Sequence, residues 1–536
     1  MARPAPPTCT MADVFSTTSL SRRALGALIA TLLSLLCLLC LGAGGARAAT
    51  VSVIDTPVSG ATPSGFLGIS IKYPSLLKFA GTNPSKVNTA FLNLLGDIAP
   101  GQRPVLRIGG ESADWSWVPI KGQKRPPGDS YSINSSWLKL AAATAKGMNG
   151  QLLLGLNFEA ANKTDTVGEA QAFLKYIGAS NILALELGNE PELYRAFAWY
   201  HTSNGTRVLG RPANWSLPVY RAQFAQFANA LPKGVTIAGP TSGIGTWLQA
   251  LGSTLKAEPK IGLVTIHAYP LKHCSASHNV TIPEVLSSAA SYGFVNELAP
   301  YVKTAHAVGK GLRIDEMNAI TCGGTRDVSD SFATALWMMN TLFGMDKLGV
   351  QGVNLNDPAG TINAVLNPIL SHGRITFQVQ PEYYAMIMFE QAAPPGSQIL
   401  QMHNDVPSTL SAWATRETSG ATHVVLVNKS ATSSESTTVR MPGAVGPASI
   451  SILHGRGLSS TNDVSLNGQS FGSSTTTGLL SGTAGTDVVS PVKGTYTVKV
   501  PPASIEMLSF TPQPGALLMS ALRGKQGLLA SLLPAW

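Results

Sequence analysis

The chain has 536 residues, of which 44% are hydrophobic and only 12% are charged, with 53 glycines and 35 prolines. This length allows a large hydrophobic core and two domains, and the composition is typical of a compact, loop-rich globular protein rather than a disordered one. The formal net charge is +9, but the sequence contains no Lys/Arg run of the kind that binds nucleic acid, so we expect no nucleic-acid partner.

The N-terminus has the pattern of a secretion signal. Ser21-Arg22-Arg23 precedes an apolar stretch over residues 24–41, and Ala46-Arg47-Ala48 fits the small-x-small cleavage rule. We predict a signal peptide over residues 1–48, with an uncleaved membrane anchor as the alternative. The mature protein is then secreted, with lysosomal, vacuolar and cell-surface destinations also open.

Short apolar runs alternate with helical stretches after the signal, which is the pattern of parallel βα units. Helical periodicity is clearest over residues 87–98, 331–348 and 382–391. The pattern predicts an α/β fold, a (β/α)₈ TIM barrel over residues 65–391. An open doubly wound sheet is less favoured, because no Gly-rich dinucleotide fingerprint or phosphate loop follows the first strand. The eight candidate strands are residues 66–71, 104–108, 151–157, 182–188, 235–239, 263–267, 312–316 and 351–355.

Residues 392–512 have a different sequence pattern. Strand patterns over residues 423–427, 448–453, 495–500 and 504–510 are separated by Gly/Ser/Thr-rich turns. We predict a C-terminal antiparallel β-sandwich domain. An early strand within residues 49–64 is expected to pair into it. The tail, residues 513–536, is apolar but interrupted by Arg523 and Lys525, so an ordinary terminal helix or tail is favoured over a lipid-anchor signal.

Cysteines and sequons fit an oxidising, secretory route. Three cysteines leave with the signal, and Cys274 and Cys322 remain as an even pair that we expect to form a disulfide, with two free buried thiols as the alternative. Six Asn-x-Ser/Thr sequons are candidate glycosylation sites, although a few arise by chance in a chain this long. They are Asn134, Asn162, Asn204, Asn214, Asn279 and Asn428.

Glu190 is the first candidate catalytic residue. It closes the predicted fourth barrel strand in the sequence Gly188-Asn189-Glu190-Pro191, in phase with Glu186, so we expect it to face inward at the rim where catalytic groups of barrels collect. A general acid here needs burial or a second carboxylate to hold its proton. Asn189 is placed to hydrogen-bond a sugar hydroxyl. The alternative is a strand-end carboxylate in a surface salt bridge.

Glu316 is the second candidate, at the end of the predicted seventh strand. We expect the adjacent Asp315 to project to the opposite face and to pair there with Arg313. The fourth and seventh strands face each other across a barrel mouth, so Glu190 as acid/base and Glu316 as nucleophile are placed to break a glycosidic bond together.

Further side chains at predicted strand ends are candidates for substrate binding. Tyr269 is placed to hydrogen-bond the carboxylate of Glu316, while His267 either lines the site or is a satisfied core histidine. Asn157, at the end of the third strand, and Asp114, in the loop after the second strand, are placed to contact sugar hydroxyls. The isolated histidines lack metal-ligand spacing, so we expect no metal and no cofactor.

Taken in order along residues 50–512, these motifs resemble glycoside hydrolase family 79, which holds β-glucuronidases and heparanase. The resemblance implies a barrel with an attached β-sandwich, retention of configuration, and the two glutamates in the roles given above. It also implies that the loop after Glu316 binds a uronate carboxylate, here through the amides of Gly323 and Gly324. Family members often have a tyrosine near position 321, where this chain has Thr321. The motifs are 106–110, 187–192, 267–269, Glu316 with 322–324, and 330–333.

The expected activity is that of an exo-β-glucuronidase that releases terminal glucuronic acid, or its 4-O-methyl form, from glycans or glycosides. A heparanase-like endo-glycosidase is less favoured, because the barrel loops contain no obvious basic cluster. A carbohydrate-binding protein on an inactive barrel is the alternative from another class, and the presence of both glutamates argues against it. No protein partner is implied.

Overall fold

The computed structural model describes residues 49–274, 278–444 and 446–511. The predicted signal peptide, residues 1–48, and the predicted tail, residues 513–536, lie outside these ranges, as do the expectations about their cleavage or anchoring. Within the described ranges, no helix combines the length and apolar character needed to cross a bilayer.

The strands are numbered here in chain order. They are β1 (Ala49–Pro57), β2 (Leu67–Lys72), β3 (Val105–Gly109), β4 (Ser116–Trp117), β5 (Tyr131–Ser132), β6 (Gln151–Leu156), β7 (Ile182–Leu187), β8 (Ala198–His201), β9 (Arg207–Leu209), β10 (Ile237–Gly243), β11 (Ile261–Ala268), β12 (Gly311–Met317), β13 (Gly352–Asn356), β14 (Leu366–Ser371), β15 (Arg374–Val379), β16 (Gln398–Asp405), β17 (Leu410–Arg416), β18 (Thr422–Asn428), β19 (Glu435–Arg440), β20 (Ala448–Gly455), β21 (Val464–Leu466), β22 (Asp487–Val489), β23 (Thr495–Val500) and β24 (Ser504–Phe510).

The α-helices are numbered in the same way. They are α1 (Leu76–Ala80), α2 (Thr89–Asp97), α3 (Ser135–Gly147), α4 (Lys163–Tyr176), α5 (Leu217–Ala230), α6 (Thr246–Gln249), α7 (Leu251–Ala257), α8 (Ile282–Val285), α9 (Phe294–His306), α10 (Phe332–Leu348) and α11 (Pro381–Ala392). Short 3₁₀ segments follow several barrel strands, including Gly110–Trp115 after β3 and Pro191–Leu193 after β7.

The barrel closes with the strand order β10-β11-β12-β13-β2-β3-β6-β7, and every neighbouring pair is parallel. Each of the eight predicted strands is present, displaced by no more than a few residues at its ends, so the predicted barrel is confirmed. Its strands are buried on both faces, because helices cover the outside and side chains fill the inside. The interior is partly polar, since Arg107, Glu186, Arg313, Asp315 and Asn354 are all buried there.

The C-terminal strands form a sheet with the order β21-β20-β24-β18-β17-β16-β1-β19-β23, and β22 pairs with β20. The sheet folds over a core of its own, in which Tyr496 and Phe510 lie edge to face with ring centroids 5.0 Å apart. β1 pairs antiparallel with β16 and parallel with β19. The predicted antiparallel sandwich is confirmed except at this one parallel pair, where the N-terminal strand inserts between β16 and β19, which run in opposite directions.

The other face of this sheet packs on the barrel helices. The indole of Trp413, on β17, stacks on Phe343 of α10 with ring centroids 5.4 Å apart, and its Nε1 donates to Asn340 Oδ1 at 2.9 Å. Helix α10 is buried almost all round because it lies between the barrel strands and the sheet. The barrel and the sheet thus share one continuous hydrophobic core.

One predicted glycosylation site is wrong for the folded chain. Asn428 is fully buried, and its Nδ2 donates to the carbonyl oxygens of Ser433 at 2.9 Å, Val500 at 3.1 Å and Pro501 at 2.9 Å. A glycan on this nitrogen would break that arrangement and leave the carbonyl groups unpaired. Asn162 is half-buried, whereas the remaining four sequon asparagines, Asn134, Asn204, Asn214 and Asn279, are exposed.

We predict that the protein is more stable at mildly acidic than at alkaline pH. Burial raises the pKa of Asp346 to about 7 and the pKa values of Glu382 and Glu390 to about 8. Since carboxyl groups in the unfolded chain titrate near pH 4, folding binds protons, and stability falls by up to about 1.4 kcal/mol per group for each pH unit between the two values. Tm should drop by several degrees between pH 6 and pH 8 in calorimetry. The Glu390→Gln variant should show a smaller drop, and a Tm that rises with pH would contradict the prediction.

Candidate active site

The candidate residues converge at one end of the barrel, where the carboxyl ends of its strands meet. Arg107 lies on β3, His267 on β11 and Glu316 on β12, while Asn356 ends β13 and Glu190 follows β7. Parallel strands place their carboxyl ends on the same rim, which is where barrel enzymes build their sites. Contacts between the side chains link all five residues.

Glu316 is a carboxylate held by three donors. Tyr269 donates its phenol to Oε1 at 2.8 Å, Asn356 Nδ2 donates to Oε1 at 3.2 Å, and Arg107 Nη1 donates to Oε2 at 2.9 Å. Burial alone raises the pKa of Glu316, but the charges of His267 and Arg107 and the bond from Tyr269 outweigh it and leave the pKa below its ordinary value. The group is therefore ionised at neutral pH, and its side chain remains 15% exposed.

A β-bulge corrects the prediction for Asp315. In the pairing of β11 with β12, Ile266 lies opposite Ile314 but His267 lies opposite Glu316, so β12 has one extra residue at this point. The bulge turns Asp315 inward as well, since an extra residue shifts the alternation of side chains. Its Oδ2 lies 3.1 Å from Arg107 Nε and 3.3 Å from His267 Nε2.

The predicted Arg313–Asp315 pair is wrong for the same reason. The guanidinium of Arg313 turns into the lower part of the barrel, where it donates to Asn354 Oδ1 at 2.5 Å and to the carbonyl oxygen of Gly65 at 3.0 Å. It therefore ties β12 to β13 and to the segment before β2, and Asp315 belongs to the site instead.

Arg107 connects the site from below. It is fully buried and reaches Glu186 Oε2 at 2.7 Å, Asp315 Oδ2 at 3.1 Å and Glu316 Oε2 at 2.9 Å, while its Nη2 donates to Asn189 Oδ1 at 3.1 Å. Burial disfavours its charge, but the three carboxylates outweigh burial and raise its pKa. Sequence reasoning gave Arg107 no role. The sequence nevertheless contained a clue to its role. Arg107 is a charged residue inside the apolar strand Val105–Gly109, and a buried arginine requires charged partners.

His267 bridges the two glutamates. Its Nδ1 lies 3.1 Å from Glu190 Oε1, and its Nε2 lies 3.9 Å from Glu316 Oε2. Burial lowers the pKa of His267, but the charges of Glu316 and Asp315 and the hydrogen bonds outweigh it, so the pKa lies well above its ordinary value. Its Nε2 also lies 3.2 Å from Arg107 Nη2. One ring thus places both glutamates at the same site.

Glu190 is positioned by a turn rather than by the strand. β7 ends at Leu187, and Glu190 has φ +46°, a left-handed conformation that is uncommon for a residue other than glycine. Its amide donates to the carbonyl oxygen of Thr241 at 2.8 Å, which fixes the turn against β10. The expectation that Glu190 continues the inward phase of β7 is wrong, yet the turn presents its side chain, 31% exposed, above the barrel.

Two predicted substrate-binding residues support the site without facing a ligand. Asp114 is buried, and its carboxylate accepts the amides of Phe158 and Glu159 at 3.1 Å each, the amide of Asn189 at 3.0 Å and the phenol of Tyr194 at 2.8 Å. Both of its oxygens are thus occupied. The prediction that Asp114 accepts from sugar hydroxyls is corrected, and its role is to hold the segment that carries Asn189 and Glu190.

Asn157 is corrected in the same way. It is buried, and its Nδ2 donates to Asp129 Oδ1 at 2.8 Å and to the carbonyl oxygen of Ser116 at 3.0 Å, while its Oδ1 accepts from the amide of Ala160 at 3.0 Å. Asn356 does contact Glu316, although sequence reasoning did not select it. Asn356 could have been selected from the sequence because it is the last residue of the eighth barrel strand, at the rim where catalytic groups collect.

The loop after Glu316 contains the predicted disulfide. Cys274 and Cys322 are bonded, with their Cα atoms 5.2 Å apart, and join the loops that follow β11 and β12. Cys322, Gly323 and Gly324 have φ values of +55°, +86° and +81°. The amide of Gly324 donates to the carbonyl oxygen of Thr321 at 3.2 Å, and its α-carbon packs against Asn363 and Ser329 with no room for a side chain. Gly323, by contrast, is exposed.

Comparison with known proteins shows the fold. No protein-family model and no curated protein matches the chain. A 4-O-α-L-rhamnosyl-β-D-glucuronidase from Fusarium oxysporum is similar in structure with a TM-score of 0.69 and 18% identity, covering 86% of this chain and 99% of that one. A family 51 arabinofuranosidase from Xanthomonas axonopodis has a TM-score of 0.61 at 13% identity, covering 87% and 100%. CelM2, a bifunctional glucanase-xylanase from a metagenome library, has a TM-score of 0.54 at 12% identity, covering 87% and 99%.

We predict that Arg107→Ala destabilises the fold strongly. The substitution leaves the buried carboxyl groups of Glu186 and Asp315 without their cation, and breaking a buried ion pair costs roughly 3–5 kcal/mol. Chemical denaturation should show a loss of this size in the free energy of unfolding. The matched control is Arg374→Ala, at an exposed hairpin position. A loss for Arg107→Ala no larger than that of the control would contradict the central position of Arg107.

Proposed function

We propose that this protein is a retaining exo-β-glucuronidase of the family 79 type, acting in the secretory or extracellular space. The observation that carries the proposal is the pair formed by Glu190 and Glu316, which the imidazole of His267 joins at the mouth of a (β/α)₈ barrel. Two carboxyl groups at one sugar are the machinery that most glycoside hydrolases use. The three structurally similar proteins named above all act on glycosidic bonds.

The environments of the two glutamates assign their roles. Glu316 is ionised and fixed by three donors, as a nucleophile must be. Glu190 is the more exposed of the two and its carboxyl contacts the ring of His267, which leaves it room to exchange a proton with the glycosidic oxygen. Arg107, Tyr269 and Asn356 orient the nucleophile.

The reaction then runs in two steps. Glu190 gives its proton to the glycosidic oxygen while Glu316 attacks the anomeric carbon, which releases the aglycone and forms a glycosyl ester on Glu316. Glu190, now a carboxylate, takes a proton from a water molecule that attacks the same carbon. The sugar leaves with its configuration retained, and both glutamates return to their starting states.

The loop of residues 322–324 supports a substrate with a carboxylate. Its three consecutive residues have positive φ, and turns of this kind commonly provide backbone amides for anions. Since the amide of Gly324 is used within the turn, Gly323 is the residue we assign to the uronate. Thr321 replaces the family's tyrosine, and its Oγ1 accepts from the amide of His273 at 3.3 Å. The similar Fusarium enzyme is a glucuronidase and was solved with a rhamnosyl-glucuronic acid ligand.

We predict that aryl β-glucuronide is the preferred substrate among aryl β-glucuronide, β-glucoside, β-galactoside and β-xyloside. The uronate carboxylate gains contacts that neutral sugars lack, so kcat/KM should favour the glucuronide by more than about tenfold, or about 1.4 kcal/mol in the transition state. Kinetics on the purified mature protein would measure it. A smaller preference would contradict the proposed binding of the uronate carboxylate. A separate measurement, the size of the products released from a heparan-like polysaccharide, would distinguish exo from endo action.

We predict that a 2-fluoro-glucuronyl fluoride labels Glu316 covalently. Such a compound forms the glycosyl ester but slows its hydrolysis, so mass spectrometry should find one added sugar on the peptide that contains residue 316. Glu316→Gln should remain unlabelled and lose at least about 10⁴-fold in kcat/KM, while Glu190→Gln should lose about 10²–10⁴-fold on substrates that need acid catalysis. Full activity of Glu316→Gln would contradict the role of Glu316 as nucleophile.

A further inference from the structure

Tyr194, which follows Glu190 closely in the chain, is a buried tyrosine to which the proposed reaction gives no role. Its hydroxyl donates to Asp114 Oδ2 at 2.8 Å and accepts the amide of Asn189 at 3.1 Å. The same amide also donates to Asp114 Oδ2 at 3.0 Å. The backbone that precedes Glu190 is therefore bonded to a side chain that follows it, and these contacts close residues 189–194 into one loop.

The backbone of this turn needs support from its surroundings. Gly188 has φ +88° and Glu190 has φ +46°, and a residue other than glycine keeps such a conformation only where its contacts hold it there. A β-carbon built on Gly188 would lie 2.5 Å from the hydroxyl oxygen of Tyr194 and 2.9 Å from Cβ of Phe158. Tyr194 therefore packs directly against the backbone of the turn.

Trp215 holds the other side of Glu190. Its Nε1 donates to the carbonyl oxygen of Pro191 at 2.7 Å. Its ring stacks on that of Tyr194, with centroids 6.3 Å apart and an angle of 20° between the planes. The phenol and the indole thus bond to backbone groups on either side of Glu190. Because the two rings also pack on each other, both sides of the turn are fixed to one aromatic pair.

Arg211 joins this aromatic pair to the neighbouring barrel strand. Its guanidinium carbon lies 5.1 Å from the ring centroid of Tyr194 and 4.7 Å from that of Trp215, and cations are attracted to the faces of aromatic rings. Its Nη2 donates to the carbonyl oxygen of Phe158 at 2.6 Å, and its Nη1 to that of Glu159 at 2.5 Å. Both carbonyl groups belong to the loop after β6, so the guanidinium fixes the two rings relative to that strand.

We propose that Tyr194 is a positioning residue that directs the side chain of Glu190 toward the glycosidic oxygen. The inference rests on the proposed role of Glu190 as acid and base. Because β7 ends at Leu187, the turn rather than the strand sets the direction of the acid. Alignment matters, since a displacement of about 1 Å can cost about 10²-fold in rate.

The test compares Tyr194→Phe, Trp215→Phe and Tyr496→Phe with the wild type. Tyr194→Phe removes only the hydroxyl and keeps the stacked ring. Trp215→Phe removes the hydrogen bond on the other side of the turn, and it decides the question if Tyr194→Phe does not fold. Tyr496 is a matched control, because it is buried in the β-sandwich and its hydroxyl donates to the carbonyl oxygen of Gly446 at 2.7 Å. Calorimetry checks that each variant folds.

The measurement is kcat/KM on the phenyl and 2,4-dinitrophenyl β-glycosides of the sugar that the wild type cleaves best. Phenolate needs a proton in order to leave, whereas dinitrophenolate leaves without one, so only the phenyl glycoside depends on the direction of the acid. A general loss of folded protein would instead lower both rates equally.

We expect Tyr194→Phe and Trp215→Phe to lose about 10–100-fold in kcat/KM on the phenyl glycoside and less than about threefold on the dinitrophenyl glycoside. Tyr496→Phe should match the wild type on both substrates. A loss on the phenyl glycoside no larger than the loss on the dinitrophenyl glycoside would overturn the proposal.

If the wild type cleaves neither glycoside, the proposed function fails, but the hold of Tyr194 on the turn is still measurable. Hydrogen exchange of the segment 188–194, followed by mass spectrometry, should be at least about threefold faster in Tyr194→Phe than in the wild type. Tyr496→Phe should leave it unchanged. Exchange in Tyr194→Phe equal to that of the wild type would overturn the positioning role.

Discussion

The buried guanidinium of Arg107 is the interaction on which the arrangement at the barrel mouth depends. It reaches Glu186, Asp315, Glu316 and Asn189, which come from two different barrel strands and from the turn that precedes Glu190. Without this cation the carboxyl groups would repel one another and lose their charges. Because its fork of donors is rigid, it also fixes the direction of each partner.

The same electrostatics separate the two catalytic candidates. Glu316 lies where two cations and a phenol converge, so it remains ionised. Beneath it, burial is the largest influence on Glu186 and raises its pKa well above the ordinary value, and the neighbouring Asp315 adds to the rise. Unequal environments for similar residues are how a site divides acid and nucleophile roles.

The barrel was predictable because its signal is repeated eight times along the chain, each time as an apolar run followed by a helical stretch. Glu190, Glu316, His267 and Tyr269 were predictable because each follows or ends such a run. Asp315 was not, since the bulge in β12 depends on pairing with β11 and leaves no mark in the sequence. Asp114 and Asn157 have the side chains that bind sugars, but backbone amides occupy their oxygens, which only the folded loops reveal.

The most direct measurement is a crystal structure of the Glu190→Gln variant with an intact aryl β-glucuronide bound. The account predicts a single sugar ring over the ring of His267, with its anomeric carbon against Glu316, its glycosidic oxygen within hydrogen-bonding distance of residue 190, and its carboxylate on the amide of Gly323. A sugar bound elsewhere, or residues 190 and 316 directed into separate cavities, would contradict it.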